Sequence, residues 1–124
     1  MNIINIKPTH STPAIRYTGD GRLVIKGRSI TAGGVNFYQP LIDWAGTLQI
    51  KMLIVDINLE YVNSTSSKKL LQLLKVLDAN TSLKKLIVNW YNDEGDEDAL
   101  EKGQVMESFL HKAEFRYHHN KEES

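Results

Sequence analysis

Two nearly continuous apolar runs, at residues 50–62 and 84–91, constrain the fold more than any other feature of the sequence. Their centres, MLIVDI and LIV, are rich in β-branched residues. Runs of this kind are typical of central strands that are covered on both faces. Between them, residues 66–79 carry leucines on one side and lysines on the other, which predicts an amphipathic helix. This strand–helix–strand order predicts a right-handed crossover between parallel neighbours.

The flanking segments extend this unit in both directions. PAIRYT and RLVIKG, separated by Gly19-Asp20-Gly21, predict an opening hairpin. A first helix is expected to open at Asn36 and run through residues 37–47, with Pro40 in its first turn. Residues 96–113 predict a third helix with acids in its first turn, followed by a last edge strand, EFRYH. We therefore predict an α/β fold with a mixed sheet, about three helices and the order β-β-α-β-α-β-α-β. An extra strand at the N-terminus also fits this order.

Composition narrows the classes of function. The chain has 124 residues, and we expect a single domain over residues 1–124 with a frayed tail at 119–124. The 15 basic and 15 acidic residues balance, which argues against binding to nucleic acid through its phosphates. The absence of cysteine excludes disulfides, a thiol nucleophile and cysteine zinc sites. Without an apolar run of membrane-spanning length or a signal-peptide core, we expect a cytoplasmic protein with no membrane partner.

Four consecutive hydroxyl residues, at positions 64–67 in YVNSTSSKKLLQLL, lie between the central strand and the amphipathic helix. The simplest interpretation is helix capping, in which Ser64 or Ser66 accepts hydrogen bonds from backbone N–H groups. The other interpretation is phosphorylation, because ligands collect at the carboxyl edge of such sheets and a helix N-terminus favours an anion. Lys68 and Lys69 follow one turn later and can pair with a phosphate. The residues alone favour capping.

The segment DEGDEDALE, residues 93–101, holds six acids and no base. It can be a solvated loop, a Mg²⁺ or Ca²⁺ site, or a patch that docks a basic partner. The ligand spacing of an EF-hand is missing, and the four histidines show no metal pattern, so we predict no metal site. The sequence also lacks a Gly-x-Ser-x-Gly elbow and a phosphate-binding loop, so we predict no catalytic residue and no cofactor.

Several segments in the same order resemble the SiaC-type family of regulatory phosphoproteins. They are STPAI, GRLVIKGRS, FYQPLIDW, LEYVNSTSSKKLLQLL and NWYNDEGDEDALEKG, which together span about residues 10–110. The resemblance implies a fold similar to STAS domains, the fold of anti-anti-sigma factors. The sequence departs from the family pattern in the turn before the first helix, where Ser29 remains but the Pro and Glu that usually follow it are missing.

This resemblance implies a regulator without enzymatic activity in a bacterial partner-switching system. A histidine-kinase-like Ser/Thr kinase phosphorylates such proteins and a PP2C-type phosphatase removes the phosphate. The unphosphorylated form binds and activates a diguanylate cyclase, which raises cyclic di-GMP and promotes biofilm growth or aggregation. The resemblance also allows a target protein other than a diguanylate cyclase. A weak homodimer is compatible with the exposed edges of such sheets.

The family motif also implies the site residues. The phosphate acceptor is Ser64, with Thr65 as the runner-up, and Asn63 and Lys68 are its neighbours. The residues implied in partner contact are Asp96, Glu97 and Asp98. Two alternatives compete with this hypothesis: a small metal-binding protein or enzyme that uses the acidic segment, and a STAS-like partner that is never phosphorylated.

Overall fold

The structure, a computed structural model, describes residues 3–30 and 37–120. Its strands and helices in chain order are β1 (Ile4–Ile6), β2 (Ala14–Tyr17), β3 (Arg22–Ser29), α1 (Gln39–Thr47), β4 (Met52–Val62), α2 (Ser64–Ala79), β5 (Lys85–Asp93), α3 (Glu97–Ser108) and β6 (Glu114–Asn120). The predicted elements are all present, and β1 is the extra N-terminal strand.

One six-stranded sheet has the spatial order β1-β2-β3-β4-β5-β6, so each strand pairs with its neighbour in sequence. The pairs β1–β2 and β2–β3 are antiparallel, and the later pairs are parallel. The predicted mixed sheet with an opening hairpin is therefore confirmed. Because every crossover runs in the same direction and such crossovers are right-handed, α1, α2 and α3 all lie on one face.

The opening hairpin turns at two glycines in the left-handed region. Gly19 has φ 88° and Gly21 has φ 87°, which residues with a Cβ rarely adopt. Gly21 also lies close to β4, because its carbonyl accepts the N–H of Ile54 at 2.8 Å. The turn thus fixes the start of β3 against the central strand.

The buried core lies between the helices and one face of the sheet. Side chains alternate along a strand, so Leu53, Val55 and Ile57 of β4 face the helices and are buried. Asp56 and Asn58 point to the opposite face, where they are half-buried. No helix of the described chain covers that second face, so our expectation that the central strands are covered on both faces is wrong. The one-sided crossovers are the reason.

Polar side chains from four strands are hydrogen-bonded across the uncovered face. Arg22 of β3 pairs with Asp56 of β4 at 2.5 Å, and Asn89 of β5 donates to the same carboxylate at 2.8 Å. The oxygen of the same Asn89 side chain lies 2.9 Å from Nε2 of His118 in β6. These bonds replace the water that the polar groups lose on partial burial.

Both flanking helices differ from the prediction at one end. Helix α1 begins at Gln39 with Pro40 in its first turn, and the expected start at Asn36 lies outside the described residues. Helix α3 ends at Ser108 rather than at residue 113. The backbone N–H groups that would continue α3 bind the Asp78 carboxylate at 2.8 to 2.9 Å instead; they belong to His111, Lys112 and Ala113.

The final strand β6 includes His119 and Asn120, which pair with Asn92 and Asp93 of β5. A frayed tail can therefore begin only after Asn120, and residues 121–124 lie outside the described part of the chain. Among the described helices, none combines the length and the apolarity needed to cross a membrane.

Candidate functional site

Asn63, not a serine, caps the helix that follows the central strand. Its side-chain oxygen accepts the backbone N–H of Ser66 at 2.9 Å, and its own backbone is extended, as an N-cap requires. The prediction that the helix begins at residue 66, with Ser64 or Ser66 as its cap, is therefore wrong. Helix α2 begins two residues earlier, at Ser64.

The capping by Asn63 leaves Ser64 as the first helical residue with an exposed side chain. No group in residues 3–30 and 37–120 hydrogen-bonds to its hydroxyl. On a helix, side chains three, four and seven residues apart share a face. Ser64 therefore lies on the same stripe of α2 as Ser67, Lys68 and Leu71.

Thr65, the runner-up, is half-buried and lies about 100° further around the helix. Its neighbours one turn later are Lys68 and Lys69, so it shares Lys68 with Ser64 but not Ser67 or Leu71. The two candidate acceptors thus point towards different surroundings, although they are adjacent in sequence.

The start of α2 is tied to the end of β3. The backbone N–H of Asn63 donates to the Ser29 carbonyl at 3.1 Å. The hydroxyl of Ser29, which is fully buried, lies 2.7 Å from the Tyr38 hydroxyl. Burial raises the pKa of the Tyr38 phenol, and the hydrogen bond to Ser29 opposes this in part. This buried pair holds the strand end that positions the cap.

An apolar groove of about 420 Å³ separates α2 from α3. Leu71, Val105 and Met106 supply its apolar surface, and the Val105 side chain is half exposed. The charged residues that line the groove are Lys68 on α2 and Asp98, Glu101 and Lys102 on α3, two cations and two anions. Ser64 lies at the N-terminal end of the α2 wall, one turn before Lys68.

Ser67 lines the same groove with a hydroxyl oxygen that is buried and has no hydrogen-bond partner. An unpaired buried hydroxyl costs free energy, about 1 to 3 kcal/mol in typical cases. The structure places Ser67 one turn inside α2, next to the groove.

Lys102 connects α3 to the end of β4, just before α2 begins, and no sequence motif marks this residue. Its ammonium group donates to the Val62 carbonyl at 3.2 Å, so a residue of α3 contacts the chain two positions before Ser64. No local pattern signals this contact, because the two residues are 40 positions apart and meet only when α3 packs beside α2.

The three acidic residues implied in partner contact have different surroundings. Asp96 is the N-cap of α3, and its carboxylate accepts the N–H of Ala99 at 3.1 Å. Glu97 and Asp98 form the acidic first turn, where the helix dipole favours them. All three are exposed, but only Asp98 lines the groove beside Ser67 and Lys68.

Part of the acidic family motif has a packing role. Gly103, its final glycine, is buried against the indole of Trp90, where an added Cβ would lie 2.8 Å from two ring atoms. The indole N–H donates to the Ala99 carbonyl at 3.0 Å. Trp90 therefore belongs to the core, and it fixes α3 on β5.

The acidic segment does not form a metal site in the described chain. No group of three or more histidine, aspartate or glutamate side chains is arranged to hold an ion in residues 3–30 and 37–120. Asp93 instead accepts a hydrogen bond from the Asn120 amide at 3.2 Å, and Asp96 caps α3. His118 stacks on Tyr91 with ring centroids 4.7 Å apart.

Comparison with known proteins gives consistent matches. A profile of the SiaC family of regulatory phosphoproteins matches residues 6–120. An uncharacterised protein of Pseudomonas aeruginosa (strain UCBPP-PA14) is 30% identical over 108 residues, 82% of this chain and 84% of that protein. Apo-SiaC from P. aeruginosa superposes with a TM-score of 0.74 at 25% identity, over 94% of this chain and 98% of that one. A chain in the crystal structure of the diguanylate cyclase SiaD with its activator SiaC, from the same species, superposes with a TM-score of 0.77. It is 25% identical, and the match covers 93% of this chain and 99% of that chain.

Proposed function

Since this chain belongs to the SiaC family of regulatory phosphoproteins, we propose that it is a regulator without enzymatic activity that binds and activates a diguanylate cyclase. The family resemblance read from the sequence is thereby confirmed. The observation that carries the proposal is the solved complex in which a relative with the same fold is the activator of the cyclase SiaD. Activation would raise cyclic di-GMP and favour aggregation or biofilm growth.

Phosphorylation of Ser64 would control this binding. The support is that the Ser64 side chain is exposed, stands first in α2 and lies one turn before Ser67 and Lys68, which line the α2–α3 groove. A phosphate adds about 1.5 to 2 negative charges, which a helix N-terminus tolerates. The same charge would change the surface presented to a partner. A Ser/Thr kinase of the histidine-kinase-like type and a PP2C-type phosphatase are the partners proposed to add and remove it.

The target would contact the surface formed by the first turns of α2 and α3. This surface combines the apolar groove with the exposed acids at the start of α3, Glu97 and Asp98 in particular, while Asp96 supports the helix start. The four charged residues of the groove balance one another. Phosphorylation would give the groove a net charge of about −2, which we expect to weaken binding of the cyclase.

Activation of a diguanylate cyclase from the same genome tests this proposal. The rate of cyclic di-GMP synthesis is measured while the unphosphorylated protein, Ser64→Ala or Ser64→Asp is titrated in. We expect Ser64→Ala to activate like the parent chain. Ser64→Asp should require about ten times more protein for half-maximal activation, a loss of about 1.4 kcal/mol of binding free energy.

Thr81→Asp is the matched control, because it adds the same charge at an exposed hydroxyl residue beyond the other end of α2. At 1.5 Å per residue it lies roughly 25 Å from Ser64, so it should activate normally. Equal activation by Ser64→Asp and Thr81→Asp would refute control by charge at Ser64. No stimulation by any of the proteins would refute the proposed target.

The acceptor itself is tested by intact-mass measurement after incubation with the kinase encoded beside this chain. The parent protein should gain one phosphate and Ser64→Ala none. If Ser64→Ala still gained a full phosphate and Thr65→Ala gained none, the acceptor would be Thr65.

A further inference from the structure

Lys102 is the one lysine of α3, and its ammonium group reaches the chain immediately before the start of α2. Its partner there is the Val62 carbonyl, a neutral acceptor at the end of β4. Two positions along an extended chain span at most about 7 Å, so the carbonyl that holds this ammonium belongs to a residue whose Cα lies within that distance of the Ser64 Cα. Among the described residues it forms no ion pair with Asp98 or Glu101, the carboxylates that share its groove.

We propose that Lys102 detects phosphorylation of Ser64: its ammonium group leaves the Val62 carbonyl and pairs with the phosphate, together with Lys68. This inference rests on the proposed function, because it assumes that Ser64 is the acceptor. It assigns to α3 a residue that responds to a modification on α2.

The exchange of partners is favourable because a phosphate is a stronger acceptor than a neutral carbonyl. Hydrogen bonds between ionised groups are about twice as strong as those between neutral groups. The Val62 carbonyl that is released is in a half-buried residue, so water can replace the ammonium. Asp98, four residues before Lys102 on α3, opposes the phosphate by repulsion and competes for the ammonium.

Ser67 provides a third group for the phosphate. Its buried hydroxyl has no acceptor, and it lies three residues after Ser64 on the same face of α2. A phosphate oxygen that enters the head of the groove supplies the missing acceptor. Two cations and one hydroxyl would thus serve the phosphate of Ser64. A phosphate on Thr65 could reach Lys68 but would lie about 200° around the helix from Ser67.

A phosphate held in this way connects α2 to α3 across the head of the groove. The phosphate would neutralise the Lys102 ammonium, which now contacts a backbone carbonyl, and it would add a further negative group near the acidic first turn of α3. The change of state at Ser64 therefore reaches both walls of the groove that we propose as the target surface.

Phosphorus NMR on the full chain tests the inference without the cyclase. Phosphoserine is incorporated at position 64 by genetic encoding, and the second pKa of the phosphate is measured by pH titration. Cations beside the phosphate stabilise its dianion, so we expect this pKa to lie below that of a phosphoserine peptide with residues 60–68. Lys102→Gln should raise it by about 0.3 to 0.7, the effect of an ordinary exposed ion pair.

Two further variants make the test specific. Lys75→Gln removes the same charge from α2 about 16 Å beyond Ser64 and should leave the phosphate pKa unchanged. Lys102→Arg keeps the charge and should keep the lowered value, which separates loss of the cation from disturbed folding. A phosphate pKa equal to that of the peptide, or one that Lys102→Gln does not raise, would overturn the inference.

The outcome also distinguishes this inference from the proposed function. If phosphoserine at position 64 weakens activation of the cyclase but Lys102→Gln does not alter the phosphate pKa, the switch stands and the role of Lys102 is refuted. If phosphoserine leaves activation unchanged, the proposed function fails, whatever the NMR measurement gives for Lys102.

Discussion

Replacing Gly103 with alanine should destabilise the protein, although alanine is the better helix former. The Cβ would lie 2.8 Å from Cε2 and Nε1 of Trp90 and 2.9 Å from its Cδ1, closer than real Cβ contacts. The ring cannot simply move aside, because Trp90 is only 4% exposed and its N–H is bonded to the Ala99 carbonyl on the same helix. Either α3 shifts away from β5 or this hydrogen bond breaks.

The magnitude follows from one gain and two costs. Replacing glycine by alanine inside a helix gains about 1 kcal/mol. Overpacking a well-packed site costs about 1 to 3 kcal/mol, and loss of one hydrogen bond adds about 1 kcal/mol. The costs exceed the gain, so we expect Gly103→Ala to lower the free energy of unfolding by roughly 1 to 3 kcal/mol.

Urea unfolding followed by tryptophan fluorescence and circular dichroism measures this difference. Gly46→Ala in α1 is the control, because its Cβ would meet the nearest side-chain atom, Cγ1 of Val76, at an ordinary 3.7 Å. This variant should be neutral or more stable by up to about 1 kcal/mol. If Gly103→Ala matched Gly46→Ala, the packing explanation of the motif glycine would be refuted.

Three further variants test other contacts. Asn63→Ala should cost about 1 kcal/mol in urea unfolding through loss of the α2 cap, whereas Asn63→Asp keeps an acceptor for Ser66 and should cost less. Asp78→Ala should cost about 2 to 3 kcal/mol, because it removes the carboxylate that accepts three backbone N–H groups; a loss below 0.5 kcal/mol, on the order of a surface change, would contradict this. Burial raises the pKa of Tyr38, so the folded chain keeps this phenol neutral after the unfolded chain has ionised at about pH 10. Its stabilising effect is complete below that pH and falls as the pH rises above it; Tyr38→Phe should therefore show a smaller decrease in melting temperature between pH 9 and 11.

The fold could be predicted because its signals are local. Apolar runs, a leucine-rich face and a glycine-flanked turn each specify an element, and the consecutive order of strands needs no information beyond the handedness of crossovers. The end of α3 could not be predicted, since the side chain that stops the helix, Asp78, belongs to α2. The residue pattern at 97–113 gives no information about that contact, because its partner lies in another helix.

The candidate site could be predicted only in part, because only some of its signals are local in sequence. Four adjacent hydroxyl residues after Asn63 are all chemically able to cap or to accept phosphate, so composition does not choose among them. The geometry of the cap assigns the first of them, Ser64, to the exposed start of α2. Lys102 had no local signal, because its contact with Val62, two residues before Ser64, forms only when α3 packs beside β4 and α2.

The consecutive strand order also affects how the chain can fold during synthesis. Each strand pairs with the one made just before it, so no later segment has to be inserted between strands that are already joined. The sheet can grow from the hairpin towards β6 as the chain leaves the ribosome, and each helix can cover the newest strand in turn. Until β6 arrives, however, the edge of β5 is unpaired while its apolar residues Leu86, Ile87 and Val88 are already in place. The interval between the synthesis of β5 and that of β6 is therefore when the nascent sheet is most exposed to edge-to-edge aggregation.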